Sequence, residues 1–137
     1  HKVGESHARV HIAHCQLGNG DYAQALQSYI GTAKVLKEID NKPVEVQLYT
    51  GMGKLYLKLQ AYNEALNNFK KALKHANVTG DCRDVCELYL CMGKAYLGLN
   101  DTKRSLEMLQ KGLALAQKEA LDYYIPQFEQ MMPTSKA

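Results

Sequence analysis

The sequence predicts an all-α fold, a solenoid of stacked antiparallel helix hairpins closed by a short C-terminal capping helix. Self-similarity carries most of this expectation. Tyr49-Thr-Gly-Met-Gly-Lys-Leu-Tyr56 returns as Tyr89-Leu-Cys-Met-Gly-Lys-Ala-Tyr96, an offset of 40 residues. Asp21-Tyr-Ala-Gln-Ala-Leu26, Ala61-Tyr-Asn-Glu-Ala-Leu66 and Asp101-Thr-Lys-Arg-Ser-Leu106 keep the same offset of 40. A fixed period of this size marks a repeat architecture. Apolar residues also return every three or four positions, the rhythm of a helix with one buried face. Only three prolines occur, Pro43, Pro126 and Pro133, and none interrupts the central periodic stretches.

The whole of 1–137 is read as one array, with repeats at about 5–40, 44–80 and 84–120. In the first, Arg9-Val-His-Ile-Ala-His-Cys-Gln16 aligns with the later motif only weakly, while Tyr22, Ala25 and Tyr29 of its second helix align well. Gly18-Asn-Gly-Asp21 supplies the turn between the two helices. The second repeat gives the clearest pair. Val44, Leu48, Met52, Leu55, Tyr56 and Leu59 line one helix over Val44–Leu59, and Ala65, Leu66, Phe69, Ala72, Leu73 and Ala76 line another over Tyr62–Asn77. Pro43 opens the first of these, and Gly80 can stop the second in a left-handed conformation. The third repeat turns at Asn100-Asp101. A capping helix is expected over about 122–132, using Tyr124, Phe128, Met131 and Met132 to cover the last apolar face. His1-Lys-Val-Gly-Glu5 aligns with Asn41-Lys-Pro-Val-Glu45, so the sequence reads as a piece beginning at a repeat boundary, with further repeats expected before it.

These residues resemble the tetratricopeptide repeat family, whose pattern is an aromatic, an apolar-Gly pair, a Tyr and, in the second helix, an Ala followed by an aromatic. The second repeat matches at Tyr49, Met52, Gly53, Tyr56, Ala65, Phe69 and Ala72, and the third at Tyr89, Met92, Gly93 and Tyr96. The third departs at Ser105, Leu109 and Gly112. The resemblance covers roughly 5–120, and the 40-residue period is similar to that of a longer-helix subgroup found in polarity scaffolds and some signalling regulators. It implies a right-handed superhelix whose first helices line a concave groove, and a function as a protein–protein interaction scaffold. Packing agrees: Gly53 and Gly93 lack a Cβ and allow close approach, with Ala65 and Ala72 opposite.

The resemblance also places the groove. His14, Lys54 and Lys94 follow the key small residue of each repeat and face the concave side; Val10, Thr50 and Leu90 lie one turn earlier, and His7, Gln47 and Glu87 a turn before that. A basic column of this kind is expected to suit an acidic or phosphorylated segment of a partner protein. The Lys, Asn and Arg set with which some family members clamp a C-terminal carboxylate is replaced here by Val10, His14, Gly51, Glu87 and Cys91.

Other chemistries find less support. His7, His11 and His14 share one helix face with Cys15 beside them, which makes a metal-binding or enzymatic role the first alternative. There is no second ligand pair elsewhere, and a polar helix face is the plainer reading. Gly51-Met-Gly53-Lys54 lacks the spacing of a phosphate loop, and Cys82 and Cys86 have no general base near them in sequence. No catalytic residue, cofactor or metal is therefore assigned. Self-association through an exposed end face is the second alternative.

The sequence has a net charge of +3, too small to argue for nucleic acid, and residues 81–137 carry seven basic against eight acidic side chains. Hydrophobic residues at 46% and charged residues at 23% are ordinary for a globular chain and exclude disorder as a general state. No apolar run reaches the ~20 residues a bilayer requires, and no signal peptide is visible. The four cysteines contain no Cys-x-x-Cys, which favours reduced thiols and a cytoplasmic setting, with a disulfide among Cys82, Cys86 and Cys91 as the alternative.

Overall fold

A computed structural model describes residues 2–132. Seven helices follow one another: α1 (Lys2–Gly18), α2 (Tyr22–Leu36), α3 (Lys42–Lys58), α4 (Tyr62–Thr79), α5 (Cys82–Gly98), α6 (Thr102–Lys118) and α7 (Ile125–Met131). The first six pair as antiparallel hairpins, α1/α2, α3/α4 and α5/α6, and α7 packs on α6. Consecutive hairpins stack, with α2 and α1 against α3 and α4 against α5.

The helix starts have local causes. Asn41 accepts a hydrogen bond from the Val44 N–H at 3.1 Å, with Pro43 in the first turn of α3. Asp81 accepts from the N–H groups of Arg83 and Asp84, and Asp101 from that of Arg104 at 3.1 Å. Each bond satisfies one of the N–H groups that a helix leaves unpaired at its beginning. Asp21, in the corresponding position before α2, makes no such side-chain bond.

Left-handed backbone recurs with the sequence period. Gly20, Gln60 and Asn100, with φ of 82°, 61° and 60°, turn the chain between the helices of each hairpin. Gly80 and Ala120, at 76° and 55°, end α4 and follow α6. Gly80 is the stop expected from sequence. Gln60 and Ala120 carry no signal of it, because neither residue favours this region.

Three apolar clusters join neighbouring units. Val10, Tyr29, Leu48 and Leu55 lie in the first, between hairpin one and α3. Phe69, Leu88 and Met92 lie in the second, between hairpin two and α5. Cys86, Leu109 and Phe128 lie in the third, under the cap. Their close packing depends on glycine. A Cβ on Gly53 would stand 2.5 Å from Cδ1 of the fully buried Phe69 ring, and one on Gly93 would stand 2.7 Å from Cδ2 of Leu109. The glycines therefore make room for a side chain of the second helix, and Leu109 takes the place that Phe69 occupies one repeat earlier.

The other departures of the third repeat have equally direct causes. Buried Ser105 donates its hydroxyl to the Gly93 carbonyl at 2.8 Å, linking α6 to α5. A Cβ on Gly112 would overlap the ring of Phe128. The cap thus seats its fully buried aromatic where Gly112 replaces the usual Ala, with Tyr124, Met131 and Met132 packed around it as expected.

Gly53→Leu is expected to destabilise the chain by about 1–3 kcal/mol or more, because the Phe69 ring has no free space to enter. Gly31, with nothing within 4 Å of its Cβ position, gives the opposite sign. Gly31→Ala should stabilise α2 by about 1 kcal/mol through helix propensity. Chemical denaturation of the two variants reads both values.

Gln60→Gly tests the turn separately. Relief of the left-handed backbone should raise stability by about 1 kcal/mol. A loss in the same denaturation assay would show that the Gln60 side chain contributes more than the backbone strain costs.

Candidate functional site

The first helices of the three hairpins, α1, α3 and α5, lie side by side, because each hairpin stacks on the previous one in the same register. Between them is a cavity of about 390 Å³. His14 and Leu17 come from α1, Val46, Gln47, Thr50 and Lys54 from α3, and Asp84 and Glu87 from α5. Tyr124, just before α7, closes one side.

Five of the nine residues expected in the groove meet here: His14, Gln47, Thr50, Lys54 and Glu87. His7 and Lys94 are exposed but lie outside the lining. Val10 and Leu90 are corrections. They are 0% and 2% exposed and offer nothing to a partner. Their position sits at the border between the groove face and the seam of the hairpin. An apolar side chain there turns inward, Val10 into the cluster of Ala25 and Tyr29, Leu90 into that of Leu109 and Phe128. Thr50, the polar member of the same set, stays at the cavity.

Leu17, Gly18, Val46, Asp84 and Tyr124 also line the cavity without having been expected there. Extending the stripe one helical turn back from Glu87 would have reached Asp84. No spacing within the repeats points to Tyr124, since it belongs to the cap.

Glu87 joins three units. It forms an ion pair with the Lys54 ammonium at 3.0 Å and accepts a hydrogen bond from the Tyr124 hydroxyl at 3.0 Å. The Cys91 thiol donates to it at 3.5 Å. Burial alone would raise the Glu87 carboxyl, but the Lys54 charge and these hydrogen bonds outweigh it and hold the group below the ordinary 4.5. Burial together with the positive charge of Lys54 lowers His14 from 6.5. Its Nδ1 lies 2.5 Å from the hydroxyl of fully buried Tyr29.

His14 uses a ring nitrogen on Tyr29, and among the described residues no group of three or more His, Cys, Asp or Glu side chains is placed to hold a metal ion. Cys15, Cys82, Cys86 and Cys91 are all free thiols, so the disulfide alternative is not realised. Burial pushes Cys86 up to about 11 and Cys91 up to about 12, the reverse of what a reactive thiol needs. No helix among the described residues is long and apolar enough to cross a membrane.

Both titrations act on stability in one direction. The unfolded chain protonates its His14 equivalent near 6.5, before the folded chain does, so stability falls as pH drops below that value. The contribution of Glu87 is present above 4.5 and is lost as pH falls through its lower folded value. Thermal melts are expected to show both losses on acidification. Glu87→Gln should remove the loss below 4.5 and leave the one below 6.5 in place.

Comparison with known proteins agrees with this architecture. A family model described as tetratricopeptide repeat matches residues 5–77 and again 46–118. Over 121 residues the chain is 29% identical to Protein CTR9 homolog of Arabidopsis thaliana, covering 88% of this chain and 10% of that protein. The chain thus spans about a tenth of the length of that curated relative. The crystal structure of a TPR-like protein from Chlorobium tepidum superposes with a TM-score of 0.73 over 95% of this chain and 96% of that one, at 16% identity. That likeness concerns the fold. With the family model matched from residue 5 to residue 118, the chain belongs to the tetratricopeptide repeat family.

Proposed function

We propose that this array holds a segment of a partner protein in the cavity between α1, α3 and α5. The tetratricopeptide architecture supports a protein-interaction scaffold in general. The observation that carries the specific reading is the convergence of polar side chains from three hairpins on one depression with apolar patches at Leu17 and Tyr124. Mixed lining of this kind suits a peptide, whose apolar side chains need cover and whose backbone needs hydrogen bonds. Stacked helices hold these groups in place before binding, so little ordering cost falls on the receptor.

The charge of the partner is argued from the same residues. An acidic segment was expected from the column His14, Lys54 and Lys94. Lys54 is paired with Glu87, and burial favours neutral His14. Counting one lysine, Lys54, against two carboxylates, Asp84 and Glu87, the cavity lining carries −1. A carboxylate entering it would meet repulsion, so the part of the partner that enters is read as neutral. Acidic residues of the partner fit better outside the cavity, near exposed Lys94.

Thr50→Trp tests the site, since the larger side chain fills the cavity from α3 without entering the core. Affinity capture from lysate should recover a protein with the native chain and lose it with Thr50→Trp, while circular dichroism shows both equally helical. Capture that survives the substitution would move binding to another face.

A further inference from the structure

The Tyr29 hydroxyl is fully buried, and among the described residues its one hydrogen-bond partner is Nδ1 of His14, at 2.5 Å. The direction of that bond follows from the cost of the alternative. If Nδ1–H donated, the phenol proton would be left buried and unpaired, at about 1–3 kcal/mol. Tyr29 therefore donates and Nδ1 accepts. A neutral imidazole that accepts at Nδ1 carries its proton on Nε2.

The ring is also locked in place. A Cβ on Gly51 would stand 2.6 Å from Cε1 of His14 and overlap the Tyr29 hydroxyl, so the pair fits against α3 only because residue 51 is glycine. With Nδ1 turned to buried Tyr29, the opposite edge of the ring, Nε2 and Cδ2, is left for the cavity that His14 lines. Among the described residues Nε2 has no hydrogen-bond partner. The neighbouring strong donor, Lys54, is already engaged by Glu87.

We propose that His14 reads the partner, donating Nε2–H to a neutral carbonyl oxygen, a backbone or side-chain amide, of the peptide segment that enters the cavity. A carboxylate oxygen is the poorer match, because Asp84 and Glu87 share the cavity and repel it. An amide oxygen meets no such repulsion and leaves its own N–H free to face the carboxylates or the Thr50 hydroxyl. Tyr29 is the positioning residue, since it selects the tautomer without facing the partner. This inference rests on the cavity being the peptide site.

The test uses the uniformly ¹⁵N-labelled chain and two probes, N-methylacetamide for an amide and sodium acetate for a carboxylate. Long-range ¹H–¹⁵N spectra of the free chain should show His14 as the Nε2–H tautomer. Tyr29→Phe should convert it to a mixture. N-methylacetamide should shift the His14 Nε2 resonance in a saturable way, and acetate should shift it less at equal concentration. An Nδ1–H tautomer in the free chain, or a stronger response to acetate, overturns the assignment. If N-methylacetamide shifts the amides of Thr50 and Gly51 but not His14, the role of His14 falls and the cavity reading stands. If neither probe moves any resonance of the cavity, both fall.

Discussion

Missing β-carbons at a few helical positions set the spacing on which the rest of this molecule depends. Gly53 seats Phe69, Gly93 seats Leu109, Gly98 lies under the Tyr62 ring and Gly112 under Phe128. In each case a methyl group would occupy space already held by a packed side chain. Glycine weakens a helix by about 1 kcal/mol relative to alanine. The structure accepts that loss because the gain lies between helices. A hairpin alone cannot cover its apolar stripe, and the next hairpin covers it only if the helices come close enough for rings and leucines to interlock. The register so produced is what brings α1, α3 and α5 together at one cavity.

The third repeat shows how the same constraint ends the array. Its departures from the family pattern change together. Leucine replaces the aromatic at 109, serine replaces alanine at 105 and reaches the Gly93 carbonyl, and glycine replaces alanine at 112 beneath the cap. Read one at a time they look like a decayed repeat. Together they describe a hairpin facing a short helix in place of another hairpin. The cap in turn reaches the cavity, because Tyr124 bonds the same carboxylate that holds Lys54. Stability at the end of the array and geometry of the site therefore share one side chain, Glu87.

Periodicity made the fold legible because it reports on packing within and between repeats, which recurs every 40 residues. The helix pairs, the Gly80 stop and the Phe128 cap were all visible in that way. What it could not report was contact outside the repeat lattice. Tyr124 joins the cavity from the cap, and the Lys54–Glu87 pair crosses between hairpins without any fixed sequence spacing. Val10 and Leu90 were misplaced for a related reason: a stripe position at the edge of a helix face is decided by side-chain polarity, and only Thr50 of that set is polar. Gln60 and Ala120 adopt left-handed backbone because the tertiary path demands it, against their own preference.

Charge is where reading a column of residues from sequence differs most from reading a site. Lys54 was one basic group among three; in the folded chain its ammonium is half-buried and matched by a carboxylate of the next hairpin. Such a pair gives little net stability by itself, because desolvation offsets much of the attraction. Its larger effect is on specificity. By engaging Lys54 it leaves the cavity with His14 and an unmatched carboxylate at Asp84, so the partner proposed for the cavity would be selected by hydrogen bonding more than by opposite charge. The column survives as a set of helix positions, but its chemistry is that of the neighbours each residue meets.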